Sequence, residues 1–142
     1  MRARILFGCA LLLFTVGVAR AQQPDQDPIG PSLFPPEFVI QHQEAIGLTS
    51  DQKDYLKTEI RQAQIKFTED QWKLQDEVEK MAALVKQPHV DEQQALAQLE
   101  KVLAAEREIK REQVTLLVRI KNKLTPDQQA KLSDLRAKTS DK

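Results

Sequence analysis

Apolar residues recur every three or four positions along most of the chain, which is the period of an amphipathic α-helix. This spacing predicts one long helix over residues 49–86 and a second over 91–123. The link around Pro88 is short, and a short link between two long helices favours an antiparallel hairpin. The expected apolar seam of the hairpin consists of Leu56, Ile60, Ala63, Phe67, Leu74, Val78, Met81, Val85, Ala95, Leu96, Leu99, Val102, Leu103, Ile109, Val114, Leu117 and Ile120.

Two shorter helices flank this hairpin. One begins at the Pro35-Pro36 pair and stops near Gly47, and the other is capped by Thr125. Abundant Gln, Glu, Lys, Leu and Ala, with few glycines and aromatic residues, is typical of helical proteins. The sequence therefore predicts an all-α domain of four helices over residues 34–137.

The chain ends are predicted to lie outside this domain. Residues 1–21 have a charged start, a short apolar stretch and an Ala-Arg-Ala cleavage site, which together indicate a secretory signal peptide. We therefore expect an exported protein without a stable membrane anchor. The polar residues 22–33 are expected to be flexible, and residues 138–142 to form a disordered tail.

Composition narrows the possible functions. Cys9 is the one cysteine in the sequence, and it lies inside the signal peptide. The residues around it faintly resemble a lipoprotein box. A lipid anchor at Cys9 is the less favoured interpretation, because most of the apolar run follows the cysteine. Loss of the signal peptide removes three arginines and leaves a slight excess of acidic residues, which gives no support for nucleic-acid binding. Without a nucleophile elbow, a phosphate-binding glycine loop or a paired-histidine zinc motif, we expect neither an enzyme nor a cofactor.

His42 and His89 are the only two histidines. A metal site in a protein usually needs three or four converging ligands, and neither residue has a second histidine at a helical spacing. We expect both side chains to be exposed or to cap backbone groups, so no metal site is predicted.

A polar interruption falls at the same level in both long helices. Asp70 and Gln71 interrupt the first apolar pattern, and Glu106 interrupts the second. In a hairpin folded about Pro88 these two interruptions face one another. They predict a partly hydrated polar layer that fixes the register of the two helices, in preference to a binding site. The basic residues near enough in sequence to pair with it are Lys73, Arg107 and Lys110.

Ile65 and Trp72 lie seven residues apart on a stripe roughly opposite the seam. This stripe predicts a contact surface for a second copy or for another protein, unless the first helix covers it. Basic residues crowd the end of the hairpin near the termini, and acidic residues crowd its tip. A solvated surface with local ion pairs explains most of these charges; the functional alternative is a bipolar surface that holds unfolded chains.

Two short strings have the chemistry of a helix start: Leu48-Thr49-Ser50-Asp51-Gln52 and Leu124-Thr125-Pro126-Asp127-Gln128. In each, the threonine hydroxyl can accept from the backbone N–H three residues later, and the glutamine can reach back to the threonine N–H. The residues that carry the shared pattern are Leu48, Thr49, Gln52, Leu124, Thr125 and Gln128.

These paired strings, the signal peptide and the long central hairpin resemble the Spy/CpxP family of periplasmic proteins. The same superfamily includes zinc-resistance-associated proteins and periplasmic heavy-metal sensors. The resemblance implies a cradle-shaped homodimer that shields unfolded or misfolded envelope proteins without ATP. The implied client or dimer surface comprises Ile65, Phe67, Trp72, Arg61, Lys66, Arg107 and Arg111.

The chain departs from the metal-binding branch, which tends to be rich in histidine. The alternative hypothesis is a periplasmic sensor or resistance protein for zinc, nickel or copper. Such a protein would regulate a sensor kinase or an anti-sigma factor through its periplasmic domain. The sequence leaves both functions open, because both can use the same scaffold.

Overall fold

The computed structural model describes residues 30–140. This part of the chain contains a single 3₁₀ turn and four α-helices, with no strand, so the prediction of an all-α fold is confirmed. The turn spans Gly30–Ser32, and the helices are α1 (Pro36–Gln41), α2 (Ser50–Val85), α3 (Glu92–Lys123) and α4 (Pro126–Ser140). The expected signal peptide lies outside the described residues.

Helices α2 and α3 form the predicted antiparallel hairpin. Side-chain contacts between them show the same register at both ends: Arg119 pairs with Glu59 at 2.9 Å near the chain termini, and Gln98 donates to the Glu77 carboxylate at 2.7 Å near the turn. We call the end near the termini the base and the turn around Pro88 the tip. These pairs agree with a chain folded about that proline.

The main core lies at the base, where all four helices converge. Val39, Ile120 and Leu132 are completely buried there. Burial of one such aliphatic side chain contributes about 1.5–3 kcal/mol to stability. The full set of buried core residues is Phe34, Val39, Ile46, Leu48, Leu56, Ile120, Leu124 and Leu132. The base therefore anchors the hairpin, and the tip extends beyond it as two helices.

Helix α1 is shorter than predicted. It ends at Gln41, and hydrogen-bonded turns lead on to Gly47. Gly47 has a φ of 69°, a left-handed conformation that glycine adopts without steric cost. The predicted stop at this glycine is confirmed, but the last turns before it are not α-helical.

At both chain ends, helices or contacts of the described residues extend past the expected boundaries of the domain. Helix α4 continues past Ala137 to Ser140, so the boundary of the expected tail falls inside a helix. Residues 30–33 are ordered, because the Arg136 guanidinium donates to the carbonyl oxygens of Gly30 and Leu33 at 2.9 and 2.6 Å. One long side chain thus fastens the N-terminal segment to the last helix.

Within residues 30–140, no helix is both long enough and apolar enough to cross a membrane.

Candidate functional site

Each Leu-Thr string forms a capping box at the start of a helix. The Thr49 hydroxyl accepts from the Gln52 backbone N–H at 3.2 Å, and the Gln52 side-chain oxygen accepts from the Thr49 N–H at 3.1 Å. Thr125 and Gln128 repeat the arrangement at 3.2 and 2.9 Å. Leu48 and Leu124, which precede the threonines, are both buried in the core. These strings therefore set the start points of α2 and α4.

The two boxes are also joined to each other, which the sequence did not predict. Gln52 Nε2 donates to Gln128 Oε1 at 2.8 Å, and Gln128 Nε2 donates to Gln52 Oε1 at 3.0 Å. Each amide also donates to the carbonyl oxygen that precedes the opposite string, at Lys123 (2.9 Å) and Gly47 (3.2 Å). We call this arrangement the glutamine clasp. The one sequence feature that pointed to the clasp is that Gln52 and Gln128 occupy the same position in the two Leu-Thr strings.

One side of the hairpin is polar. Lys66 lies 3.5 Å from both Asp70 and Glu112, and it shares a cleft with the Glu59–Arg119 pair. Partial burial opposes the charge of Lys66, but the two carboxylates outweigh it and raise the pKa of the lysine. We call this side the polar face; it ties α2 to α3 through ion pairs.

The predicted polar layer needs correction. Asp70 is half-buried, but Gln71 and Glu106 are exposed. The carboxylate of Asp70 pairs with Lys66, one turn earlier on its own helix, rather than with Lys73, Arg107 or Lys110. Lys66 lies four residues before Asp70 and also reaches Glu112 on α3. The charge of Asp70 is therefore paired by a neighbour on its own helix.

The other side of the hairpin is apolar and largely uncovered. Leu74 and Leu103 line an open groove of about 620 Å³ whose edges carry Glu106, Arg107 and Lys110. Further apolar residues follow on the same side of each helix at steps of three, four or seven. We define the apolar face as Leu74, Val78, Val85, Leu96, Leu99 and Leu103; the exposed fractions of the last three are 54%, 37% and 39%.

A second cavity with apolar walls is a small pocket nearer the base. This pocket has a volume of about 130 Å³ and lies between the start of α1 and the hairpin. Phe67, Ile60 and Leu116 contribute its apolar walls, and Glu37 lies at its edge. Apolar side chains therefore line both the open groove and, separately, this pocket near the start of α1.

The sequence placed several residues of the apolar face in the buried seam, and this was wrong. The buried line of α3 includes Val102, as predicted, but continues through Gln98 and Ala105; the three side chains are exposed by 9%, 6% and 1%. Helix α3 carries apolar residues on two stripes, and only one of them can face α2. Gln98 joins the seam because its amide donates to Glu77.

The residues predicted to form one client or dimer surface are distributed over three sides of the hairpin. Phe67 and Arg107 border the apolar face. Lys66 lies on the polar face, and Arg111 pairs with Glu108 on its own helix. The remaining three, Arg61, Ile65 and Trp72, are exposed on the outer side of α2.

The two histidines lie apart from these surfaces. The Nδ1 atom of His42 is 2.9 Å from the Phe38 carbonyl oxygen, and the centre of the His42 ring is 4.4 Å from the centre of the Phe38 ring. His89 is exposed in the turn at the tip. Over residues 30–140, no group of three or more His, Cys, Asp or Glu side chains is placed to hold a metal ion.

Comparison with known families gives one match. The model of the heavy-metal resistance family matches residues 8–131, a stretch that includes the whole hairpin and both Leu-Thr strings. Searches of curated proteins and of solved structures each gave no match. The matching family lies within the Spy/CpxP-like superfamily of periplasmic helical proteins, so the resemblance is confirmed at that level. The chain belongs to the heavy-metal resistance family.

Proposed function

We propose that this protein supports heavy-metal resistance by holding unfolded or misfolded envelope proteins on the apolar face of its hairpin, without ATP and without catalysis. The observation that carries the proposal is the row of exposed apolar side chains on a hairpin that is otherwise well formed. Contiguous apolar surface of this kind marks an interaction site more often than scattered exposed residues do.

The family gives this activity a physical context. Metal ions that bind cysteine and histidine side chains of an unfolded chain stabilise the unfolded state by mass action. Envelope proteins under metal stress would then expose apolar segments for longer. A protein that covers those segments reversibly would limit their aggregation until the metal is removed.

The shape of the site fits reversible holding better than tight binding. The groove at Leu74 and Leu103 is open to solvent, and its edges are charged. Burial of apolar client side chains supplies affinity, whereas the exposed charges of Arg107 and Lys110 speed encounter and keep the complex soluble.

The test is an aggregation assay with the mature protein, from residue 22 onward. Reduced, denatured lysozyme is diluted into buffer, and its light scattering is followed with and without the protein. Suppression of scattering at a several-fold molar excess is expected. Unchanged scattering at every ratio would contradict the proposal.

A metal-sensing function is the second candidate, and the family match favours it. In this case the protein would bind zinc, nickel or copper and pass the signal to the periplasmic domain of a sensor kinase or an anti-sigma factor. Calorimetric titration with the three metals separates the candidates. Submicromolar binding that is lost in the His42→Ala variant would favour sensing.

A further inference from the structure

Three helices build the small pocket near the base. Its walls are half-buried side chains: Ile60, Ala63 and Phe67 of α2, Leu116 of α3 and Pro36 at the start of α1. All five are apolar, so a water molecule in the pocket finds few hydrogen-bond partners on its walls. An apolar group therefore replaces water there at little cost.

The space in the pocket lies beside Ala63. Ile60, Ala63 and Phe67 follow one another at steps of three and four on one side of α2, and Ala63 is the smallest of them. The volume of about 130 Å³ is close to that of an engineered protein cavity of about 150 Å³ that binds benzene. The pocket can thus accept one small ring or a short alkyl chain.

The charged groups at the rim of the pocket are carboxylates. Glu37 is exposed at its edge and forms no ion pair within residues 30–140. The Glu112 side chain is 22% exposed, and the ion pair that it forms with Lys66, at 3.5 Å, is shared with Asp70. Among the described residues that line the pocket there is no lysine or arginine. The rim therefore favours a positively charged group and disfavours an anion.

We propose that this pocket binds a small organic amine that has one apolar ring or short chain and one positively charged nitrogen. The apolar part lies against Phe67 and Leu116, and the ammonium group lies at the rim, where Glu37 and Glu112 attract it. This inference goes beyond the proposed function, because the pocket is separate from the open groove on the apolar face and takes a small molecule rather than an unfolded chain.

Titration with benzylamine, followed by ¹H–¹⁵N NMR spectra of the mature protein, tests the proposal. Saturable shifts are expected at the backbone amides of Ala63, Gln64, Phe67 and Gln113, with a dissociation constant of about 1 mM, which is ordinary for a ligand of this size. Benzyl alcohol has the same ring without the charge and should bind about tenfold more weakly. Benzoate, which carries the opposite charge, should not bind.

Two variants separate the contributions of the walls and the rim. Ala63→Leu fills the space and is expected to abolish the binding of benzylamine and of benzyl alcohol. Glu37→Gln leaves the walls unchanged and is expected to weaken benzylamine binding about threefold, with no effect on benzyl alcohol. The matched control, Glu69→Gln, removes the same charge from an exposed position of α2 outside the pocket and should bind both ligands like the original protein.

Circular dichroism first shows that each variant is folded. Because overpacking destabilises a core, Glu37→Gln, at an exposed side chain, keeps the test decisive even if Ala63→Leu does not fold. Absence of saturable shifts, equal affinities for benzylamine and benzyl alcohol, or equal effects of Glu37→Gln and Glu69→Gln would overturn the proposal. Shifts centred on Leu74 and Leu103 would also overturn it, because they would place the amine in the groove.

Discussion

The side chains of Gln52 and Gln128 hold each other through two reciprocal hydrogen bonds, at 2.8 and 3.0 Å. Each glutamine is 7% exposed, and each also closes the capping box of its own helix. A polar group buried this deeply is stable only while its hydrogen bonds are satisfied. The clasp therefore makes the start of α2 and the start of α4 depend on one another.

The first prediction concerns this dependence. Gln128→Ala removes one amide and leaves Gln52 without a buried partner, so the free energy of unfolding should fall by about 1–3 kcal/mol. The double variant Gln52→Ala/Gln128→Ala should cost clearly less than the two single changes added together. Urea unfolding of the four proteins measures this coupling. Strictly additive effects would mean that the two glutamines act independently.

The second prediction concerns the attachment of the N-terminal segment. Arg136 donates to three carbonyl oxygens in residues 30–33, and its guanidinium lies 5.0 Å from the centre of the Phe34 ring. Arg136→Gln cannot span these acceptors, so hydrogen exchange at the Leu33 and Phe34 amides should become faster. Mass spectrometry of the corresponding peptide measures the change.

The matched control for this prediction is Arg119→Gln. Arg119 forms an exposed ion pair with Glu59, and such pairs contribute about 0–1 kcal/mol. Exchange near the N-terminal segment should be unaffected in this variant. Equal effects of the two substitutions would show that the segment responds to general stability rather than to its contact with Arg136.

The third prediction concerns pH. Hydrogen bonds from Lys80 and Gln98 lower the pKa of Glu77 below its ordinary value. Because the folded state has the lower pKa, this stabilisation is complete above the pKa of the unfolded state and is lost as the pH falls through that of the folded state. Glu77→Gln should therefore flatten the acid side of the stability profile.

Urea midpoints measured between about pH 6 and pH 3 test this dependence. The control, Glu100→Gln, removes an exposed carboxylate of α3 that lies two residues after Gln98, and it should keep the original slope. A Glu77→Gln protein with an unchanged slope would contradict the assignment of acid sensitivity to Glu77 and its hydrogen bonds with Lys80 and Gln98.

Helix positions were well predicted because their signals are local. Thr49, Asp91 and Thr125 each cap a helix where the sequence indicated, and Pro88 lies in the turn. A capping residue and a proline act on the few residues beside them, so no knowledge of the tertiary structure is needed.

The faces of the hairpin were harder to predict because they depend on a choice between stripes. Periodicity alone could not decide whether Leu99 or Ala105 would face α2, since each lies on an apolar stripe of α3. The structure buries Ala105 and exposes Leu99. The side of α3 that faces α2 carries the small side chain of Ala105 and the amide of Gln98, whereas the larger Leu99 is exposed to solvent.

The joining of the two strings was also beyond the sequence analysis. Gln52 and Gln128 are 76 residues apart, and the capping pattern explains each of them without the other. Only the hairpin, which returns the end of α3 to the start of α2, brings their amides together. The glutamine clasp could therefore be found only in the tertiary structure, whereas the two helix starts that it joins were predictable from the sequence.

The most direct test of the account is the lysozyme scattering assay with substitutions confined to one surface. The Leu99→Ser/Leu103→Ser variant makes the apolar face polar at two exposed positions, and Ile40→Ser makes the same kind of change on α1, where Ile40 is 45% exposed. With both proteins shown to be folded by circular dichroism, the first should lose most of its suppression of scattering and the second should keep it. Full suppression by the Leu99→Ser/Leu103→Ser variant would contradict the claim that the apolar face holds the client.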